Sequence, residues 1–281
     1  METNETQTMN PAHNLLESRY GHDQAPHSIA WNPVLERLLS HRSVRAYSSE
    51  PLPAGTLETL VSAAQSAASS SNLQLWSVVA VEDAERRQRL SILAGDQAHI
   101  RQAPLFLVWL ADLARLRRVA ALRGIPAEGL DYLEMFVMAT VDASLAAQNA
   151  VVAAESLGLG TVYIGAMRNH PEKVAAELGL PEGVFPVFGL VVGHPDPAAT
   201  PAVKPRLPQD AVLHRETYRL ESQDDAVRRY DGIMSAFYSE QNMATAGDWS
   251  EHSARRVSGP DKLATRVRLR EALNALGFKL R

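Results

Sequence analysis

Two short cationic segments are the strongest candidates for chemistry in this sequence. The first, His41-Arg42-Ser43-Val44-Arg45, places two guanidiniums, an imidazole and a hydroxyl within five residues. The second, Lys204-Pro205-Arg206-Leu207-Pro208, carries two cations on a backbone that its prolines stiffen. Because forked guanidinium donors match phosphate oxygens, both segments are typical of an oxyanion site. The alternatives are a cationic helix end for the first and a solvated proline-rich linker for the second.

Two further segments could contact the rest of a ligand. Ser69-Ser70-Ser71-Asn72-Leu73-Gln74 offers hydroxyls and amides between a predicted helix and a predicted strand, although such residues are also common in ordinary loops. In Tyr163-Ile164-Gly165-Ala166 a strand runs into a glycine, where backbone can approach a flat ligand without an intervening side chain.

The sequence lacks the motifs of several other chemistries. Without cysteine it has no disulfide, zinc-thiolate site, iron–sulfur cluster or cysteine nucleophile. The histidines form no His-x-x-x-His pair with a carboxylate, so no metal site is predicted. The chain also contains no G-x-S-x-G elbow, no Walker A motif and no G-x-G-x-x-G after a strand. Asp142 and Glu155 on a predicted helix are expected to have buried partners or a subunit contact rather than to act in catalysis.

Composition narrows the class of protein further. With 28 Lys and Arg against 32 Asp and Glu, the net charge of −4 argues against a partner such as nucleic acid or an anionic membrane. The longest apolar stretch, Met135 to Leu159, contains Asp142, Gln148, Asn149 and Glu155 and is predicted to be a buried core helix rather than a membrane span. The N-terminus lacks the features of a secretory signal, and we expect a cytoplasmic protein.

The hydrophobic patterns predict the elements that position these residues. Residues 1–30 are polar and acidic and are expected to form a flexible arm, with at most a short helix near Leu15–Tyr20. Residues 31–281 are expected to form a single domain that includes a C-terminal helical excursion over about 209–281. Charged residues 112–129 are expected to be irregular and mobile. Strands are predicted at 75–81, 105–110, 161–164 and 187–192, and helices after Asn32-Pro33 and over 83–93, 132–157, 171–178, 225–238 and 262–276.

Taken together and in this order, the segments resemble the flavin-dependent nitroreductase family, in particular its oxygen-insensitive NADPH nitroreductase and NADPH-flavin oxidoreductase branch. The resemblance runs from about Asn32 to the C-terminus. The stretches that carry it are His41–Arg45, Ser69–Gln74, Gly95-Asp96-Gln97, Ala146–Ala150, Ala153–Gly160, Val162–Gly165 and Lys204–Pro208.

The resemblance implies a fold, a cofactor and a set of site residues. The fold is α+β, with a central mixed, mainly antiparallel sheet flanked by helices in an interlaced homodimer that binds FMN at the subunit interface. Residues that would hold the FMN phosphate are His41, Arg42, Ser43, Lys204 and Arg206. Residues that would contact the flavin are Arg45 at the N1–C2 edge, Gln97 at the pyrimidine edge, Ile164 and Gly165 at N5, and Ser69, Ser71 and Gln74 from the partner subunit. Arg266 matches a family arginine near the acceptor pocket, and an exposed helix charge is its equal alternative.

The implied activity is a ping-pong hydride transfer. NAD(P)H reduces FMN and leaves, and a nitroaromatic, a quinone or free flavin takes its place. No catalytic side chain is expected, because the cofactor carries the hydride chemistry. The alternatives are a specialised flavin enzyme of the same fold with another substrate, and a non-catalytic protein that binds flavin or a phosphate ligand.

Two departures from the family pattern bear on this activity. Residues 241–247, Gln-Asn-Met-Ala-Thr-Ala-Gly, hold no cation where the branch usually carries arginines for the 2′-phosphate of NADPH. Either NADH is accepted as electron donor, or Arg255 and Arg256 supply the charge. Ala166 stands where a second glycine commonly follows Gly165, which could narrow the space beside the flavin.

Overall fold

A computed structural model describes residues 11–26 and 29–281 of the chain. Its α-helices are α1 (Pro11–Tyr20), α2 (Pro33–Leu39), α3 (Thr56–Gln65), α4 (Ala84–Leu93), α5 (Ala98–Gln102), α6 (Ala114–Arg123), α7 (Leu133–Ser156), α8 (Pro171–Leu178), α9 (Asp224–Glu240), α10 (Trp249–Arg256) and α11 (Leu269–Ala275). Its strands are β1 (Trp76–Val81), β2 (Leu105–Asp112), β3 (Gly160–Ile164) and β4 (Val184–Gly193). The predicted strands are thus confirmed, with β2 and β4 longer than expected.

The four strands form one sheet in the order β1-β2-β4-β3. All three pairings are antiparallel, and an isolated bridge between Ser43 and Thr161 adds a parallel contact at the edge. Every residue of β2 is buried, as expected for a continuously apolar strand with a neighbour on each side. The predicted α+β class with a mainly antiparallel sheet is confirmed.

Helix α7 is the long alanine-rich helix that the sequence predicts. Its alanines at 139, 143, 146, 147, 150 and 154 are buried, and α7 contacts α3 and β2. Their short side chains let the helix lie close to the sheet. By length and hydropathy alone α7 could cross a membrane, and 39% of its most apolar window is buried within the chain. Asp142 and Glu155 lie on its buried face. Both residues were part of the stretch predicted to be a core helix.

The chain divides into two compact units. The helical unit comprises the described residues up to Arg42 together with Ala202–Lys262, and the sheet unit comprises Ser43–Pro201 and Leu263–Arg281. The end of the expected C-terminal excursion belongs to the sheet unit because its apolar residues enter that core. Leu273 and Phe278 are buried there in one cluster with Phe185.

The described part of the N-terminal arm contains a helix, as the sequence allowed near Leu15–Tyr20. Helix α1 begins at Pro11, earlier than the predicted Leu15, and buries Leu16 and Arg19. These side chains hold the segment against the rest of the helical unit. Helix α2 begins as predicted, since the Oδ1 atom of Asn32 accepts a hydrogen bond from the backbone N–H of Leu35 at 2.9 Å. Residues 1–10, 27 and 28 lie outside the described residues.

Two predicted segments take a different form. The expected irregular excursion over 112–129 contains α6, whose alanines and arginines favour helix and which ends at Gly124 with a φ of 64°. The helix predicted over 262–276 is interrupted. A 3₁₀ stretch over Pro260–Arg268 contains Ala264 at a φ of 51°, and α11 begins only after it.

Candidate functional site

The two cationic segments carry four of the predicted phosphate ligands in the helical unit: His41, Arg42, Lys204 and Arg206. A residue that the sequence analysis missed joins their main chains. The Nη1 atom of Arg19 donates to the carbonyl of Lys204 at 2.7 Å, and its Nη2 atom donates to the carbonyl of His41 at 3.0 Å. The only signal for Arg19 in the sequence is that it is the single cation of the acidic segment 1–30.

The proline-rich segment is anchored rather than solvated. Pro205 and Pro208 are buried, whereas Lys204 and Arg206 are exposed, so the prolines face the unit and the cations face outward. The hydroxyl of buried Tyr230 donates to the carbonyl of Pro205 at 2.9 Å. Burial raises the pKa of Tyr230, and the positive charges of Arg206 and Arg19 oppose that rise. The segment is therefore packed against the helical unit and is not a free linker.

Arg42 has an unsatisfied donor. Its Nε atom is buried and has no hydrogen-bond partner in the part of the chain that the structure describes. A buried guanidinium donor without a partner is costly unless a ligand supplies an acceptor. Arg42 lines a cavity of about 530 Å³ in the helical unit, together with Ala202, Val203 and Pro205 from the second segment. Both features fit an anion such as a phosphate monoester.

Ser43 and Arg45 belong to the sheet unit, where their segment lies along β3. The backbone N–H of Val44 donates to the carbonyl of Thr161 at 2.9 Å, next to the bridge between Ser43 and Thr161. Close approach is possible because Gly160 has no side chain, since an added Cβ would lie 2.8 Å from Val44. Arg45 itself is exposed.

The charge of Arg45 affects the pKa of His99 in α5. Burial lowers the pKa of His99, and the positive charge of Arg45 lowers it further. Gln97 immediately precedes α5, and its Nε2 atom donates to the carbonyl of Ala94 at 2.7 Å. Gln97 thus lies at the start of the helix that contains His99, the residue whose pKa the charge of Arg45 lowers.

A second group of predicted residues meets at the end of β3. Ile164 is buried, and Gly165 opens a 3₁₀ turn over Gly165–Asn169. The guanidinium of Arg168 packs beside Gly165, where an added Cβ would lie 3.2 Å from its Nη2 atom. Arg266 joins the same turn, since its Nε atom donates to the Oδ1 atom of Asn169 at 2.8 Å. Arg266 is therefore attached to the turn that follows Gly165.

The electrostatics of this group are those of two neighbouring cations. Burial lowers the pKa of Arg168, and the charge of Arg266 lowers it further. The Nη1 atom of Arg168 donates to the carbonyl of Val187 at 2.5 Å, which holds the guanidinium in place. A cavity of about 260 Å³ lies beside the turn and is lined by Arg168, Asn169 and Arg268 among others.

The loop with Ser69, Ser71 and Gln74 is separate from these groups and is held by α7. The carboxylate of Asp142 accepts hydrogen bonds from the Ser69 hydroxyl and from the backbone N–H groups of Ser70 and Leu75. Ser71, Asn72 and Gln74 all adopt positive φ angles of about 50°. Three such non-glycine residues within four positions are unusual and mark a conformation that its surroundings impose.

Comparisons with known proteins decide the family. Residues 38–194 match the family model described as "Nitroreductase family", and residues 204–281 match its C-terminal domain. The chain belongs to the nitroreductase family. The resemblance predicted from the sequence is therefore confirmed. The match begins at residue 38, so α1 precedes it.

Relatives within the nitroreductase family cover most of the chain. The "FMN reductase (NADPH)" of Bacillus subtilis is 42% identical over 78% of this chain and 89% of its own length. The "Oxygen-insensitive NADPH nitroreductase" of Salmonella typhimurium is 39% identical over 80% of this chain and 91% of its own length. The solved structure of the NADPH:FMN oxidoreductase of Vibrio harveyi, complexed with NAD⁺, has a TM-score of 0.79 and 37% identity, and the match covers 89% of this chain and 100% of that one.

Residues 241–247, which lack the cations expected from the nitroreductase pattern, belong to the helical unit. Residues 241–247 follow α9 and lead to α10. Of the two arginines that could substitute, Arg255 forms an ion pair with Glu251 one turn earlier, and Arg256 donates to the carbonyl of Lys262. Both guanidiniums are engaged in local contacts.

Proposed function

We propose that this chain is an FMN-dependent NAD(P)H oxidoreductase that passes a hydride through FMN to nitroaromatics, quinones or free flavin. The observation that carries the proposal is the family match over both cationic segments, together with relatives of about 40% identity whose names are FMN reductase and NADPH nitroreductase. The buried, unpartnered Nε atom of Arg42 supports it independently, because the family's cofactor ends in a phosphate.

Binding of the phosphate is the task of His41, Arg42, Ser43, Lys204 and Arg206. The prolines that flank Arg206 fix the direction in which the cations leave the chain, so little side-chain ordering remains for the binding step. Charge-assisted hydrogen bonds from guanidiniums to a phosphate are stronger than neutral ones and select for the phosphate over a hydroxyl.

Contact with the flavin ring is the task of residues in the sheet unit. Bound FMN supplies the hydride chemistry at its N5 atom. Arg45 would supply a positive charge near the ring, which would favour its two-electron reduction. Gln97 supplies an amide, and Ile164 and Gly165 supply backbone groups. Arg168 keeps the turn after Gly165 in place through its bond to Val187.

Arg266 is the proposed contact for an electron-rich group of the acceptor. For the electron donor, NADH is favoured more here than in relatives whose names specify NADPH, since residues 241–247 lack a cation and both nearby arginines have local partners. Each missing arginine–phosphate contact is worth about 1.5–3 kcal/mol, or about ten- to a hundredfold in affinity.

The working form is a homodimer. On the face of α7 away from the sheet, Leu133, Val137, Val141 and Leu145 are 44–50% exposed and lie four residues apart. This spacing places them in one stripe along the helix, and a second copy of the chain would cover it. The loop of Ser69, Ser71 and Gln74 would then serve the partner's flavin. The cytoplasm is the proposed location, which suits a chain without cysteine.

The test asks whether the protein reconstituted with FMN is yellow and whether a reduced nucleotide bleaches that colour. Purified protein is incubated with FMN, desalted and titrated anaerobically with NADH and with NADPH. The proposal expects a yellow protein that bleaches with at least one nucleotide and regains its colour with a nitroaromatic or quinone. A colourless protein that FMN cannot reconstitute contradicts the proposal, and a yellow protein that neither nucleotide reduces favours a specialised or non-catalytic flavoprotein.

A further inference from the structure

Helix α1 brings a buried arginine to the cationic segments from outside the family match. The matched region begins at residue 38, and Arg19 lies in the last turn of α1. Only 6% of Arg19 is exposed, in contrast to most arginines of a protein surface. Its burial therefore needs a specific set of acceptors.

Those acceptors are main-chain carbonyls of the two cationic segments and of the helix before them. Arg19 Nη1 donates to the carbonyl of Lys204 at 2.7 Å, and Nη2 donates to the carbonyls of Leu39 at 2.7 Å and His41 at 3.0 Å. In return, the backbone N–H of Arg206 donates to the carbonyl of Arg19 at 2.8 Å. One residue thus bonds to both segments through its side chain and to the second segment through its main chain as well.

The geometry of the guanidinium suits this bridging role. Its donors lie in one rigid plane and point in several directions, so one group can satisfy three carbonyls at once. A lysine ammonium is a compact donor at the end of a flexible stem and cannot reproduce this planar arrangement. Fixing the peptide groups of His41 and Lys204 also fixes the directions in which their side chains leave the backbone.

We propose that Arg19 is a positioning residue for phosphate recognition, which aligns His41, Arg42, Lys204 and Arg206 before the cofactor binds. This inference rests on the proposed function, since it concerns the same FMN phosphate. Prior alignment lowers the ordering that binding would otherwise require, so the loss of Arg19 weakens the phosphate contacts in particular. The residues proposed to contact the isoalloxazine ring belong to the sheet unit, so we expect their contacts to be independent of Arg19.

Paired titrations with FMN and riboflavin test this, because the two ligands share the ring and differ in the phosphate. The full-length apoprotein is titrated with each flavin by fluorescence quenching, for wild type, Arg19→Met and Arg19→Lys. Arg37→Met is the matched control, because Arg37 is an exposed arginine of the neighbouring helix α2. We expect Arg19→Met to raise the Kd for FMN about tenfold and leave the Kd for riboflavin unchanged. The control should keep the wild-type preference.

The outcomes separate positioning from general stability. An equal loss of affinity for both flavins, or an unchanged preference for FMN in folded Arg19 variants, overturns the proposal. Should Arg19→Met fail to fold by circular dichroism, Arg19→Lys decides, since it retains the charge and is expected to lower the preference for FMN several-fold. A wild-type protein that binds riboflavin as well as FMN contradicts the proposed phosphate site itself, and one that binds neither contradicts the proposed function.

Discussion

The Oδ2 atom of Asp142 accepts a hydrogen bond from the hydroxyl of Ser69 at 2.7 Å, and this contact joins the middle of α7 to the loop before β1. The same carboxylate accepts from the backbone N–H groups of Ser70 at 3.2 Å and Leu75 at 3.0 Å. A carboxylate can take three donors because it only accepts. The unusual backbone of the loop therefore depends on one buried negative group in the helix.

Replacement of this carboxylate by an amide should loosen the loop. In Asp142→Asn one oxygen becomes a nitrogen that donates, and it would face donors that already point inward. Buried donors without a partner cost about 1–3 kcal/mol each, so we expect a loss of about 2–3 kcal/mol in the free energy of unfolding. Urea unfolding followed by circular dichroism measures it.

Glu134→Gln is the matched control, because Glu134 is an exposed carboxylate of the same helix. Its free energy of unfolding should change by less than about 0.5 kcal/mol. Equal effects of the two substitutions would show that Asp142 does not hold the loop.

Gly189 should tolerate no side chain. A Cβ atom at this position would lie 2.3 Å from the Cζ atom of Phe106, which is fully buried in the core. Because a ring in a packed interior has little space to move, we expect Gly189→Ala to lower the free energy of unfolding by about 3 kcal/mol. Gly232→Ala makes the same change in α9, where an added Cβ meets no atom within 4 Å. It should raise stability by up to about 1 kcal/mol, because alanine favours helix. Thermal unfolding measures the Tm of both variants. A shift of the two Tm values in the same direction would contradict the steric argument.

Asp131 should make stability depend on pH. The hydrogen bond from Lys279 at 2.8 Å, assisted by Arg117 at 3.1 Å, lowers the pKa of Asp131. A carboxyl with a lowered folded pKa contributes stability above its unfolded pKa of about 3.9 and loses that contribution as the pH falls through the folded value. Wild type should therefore have a higher Tm than Asp131→Asn at pH 7, and the difference should narrow as the pH falls below the unfolded pKa of about 3.9.

Thermal scans from pH 7 to pH 3 measure this difference. Glu85→Gln is the control, since the side chain of Glu85 is 89% exposed. A gap in Tm between wild type and Asp131→Asn that stays constant across the range would rule out the linkage.

Arg206 should contribute to FMN binding through charge. Loss of a charge-assisted contact to phosphate predicts a rise in the Kd for FMN of about ten- to a hundredfold in Arg206→Ala. Affinity of the variant should also fall less steeply with salt, because one fewer cation meets the ligand. Arg228→Ala, which removes an exposed helix cation paired with Asp225, should bind FMN as wild type does. An unaltered Kd in Arg206→Ala would remove Arg206 from the proposed site.

The stripe on α7 should carry the dimer contact. Leu145 is 44% exposed, and a buried carboxylate in an apolar interface is costly, so Leu145→Glu should shift the protein toward monomer. Ile92→Glu places the same charge on α4, at a residue that is 56% exposed, and should leave the mass unchanged. Size-exclusion chromatography with light scattering measures the mass. A wild-type protein that is monomeric at micromolar concentration speaks against the proposed homodimer.

Much of the sheet and of α7 follows from the sequence, because their signals are local. The apolar run of β2 and the alanine spacing of α7 each lie within one element. Helix α6 was wrongly expected to be irregular, because its charged sequence has no apolar periodicity and its helical form rests on residue propensity and the stop at Gly124. Short-range patterns therefore predict packed elements better than exposed ones.

The partners of buried polar groups are the part that the sequence could not supply. Asp142 was expected to have buried partners, but those partners lie 67–73 residues away along the chain. The carbonyl acceptors of Arg19 lie 20–185 residues away, and main-chain carbonyls carry no residue-specific signal. Only the folded chain identifies these bonds.

The order of the two units along the chain has a consequence for synthesis. The chain passes from the helical unit to the sheet unit after Arg42, returns after Pro201 and leaves again after Lys262. Leu273 and Phe278 complete a core cluster whose other members include Leu75 and Phe185. A growing chain on the ribosome therefore cannot close that core until Leu273 and Phe278 have emerged. Translation errors that end the chain early would leave this cluster open, even when every strand of the sheet has already been made.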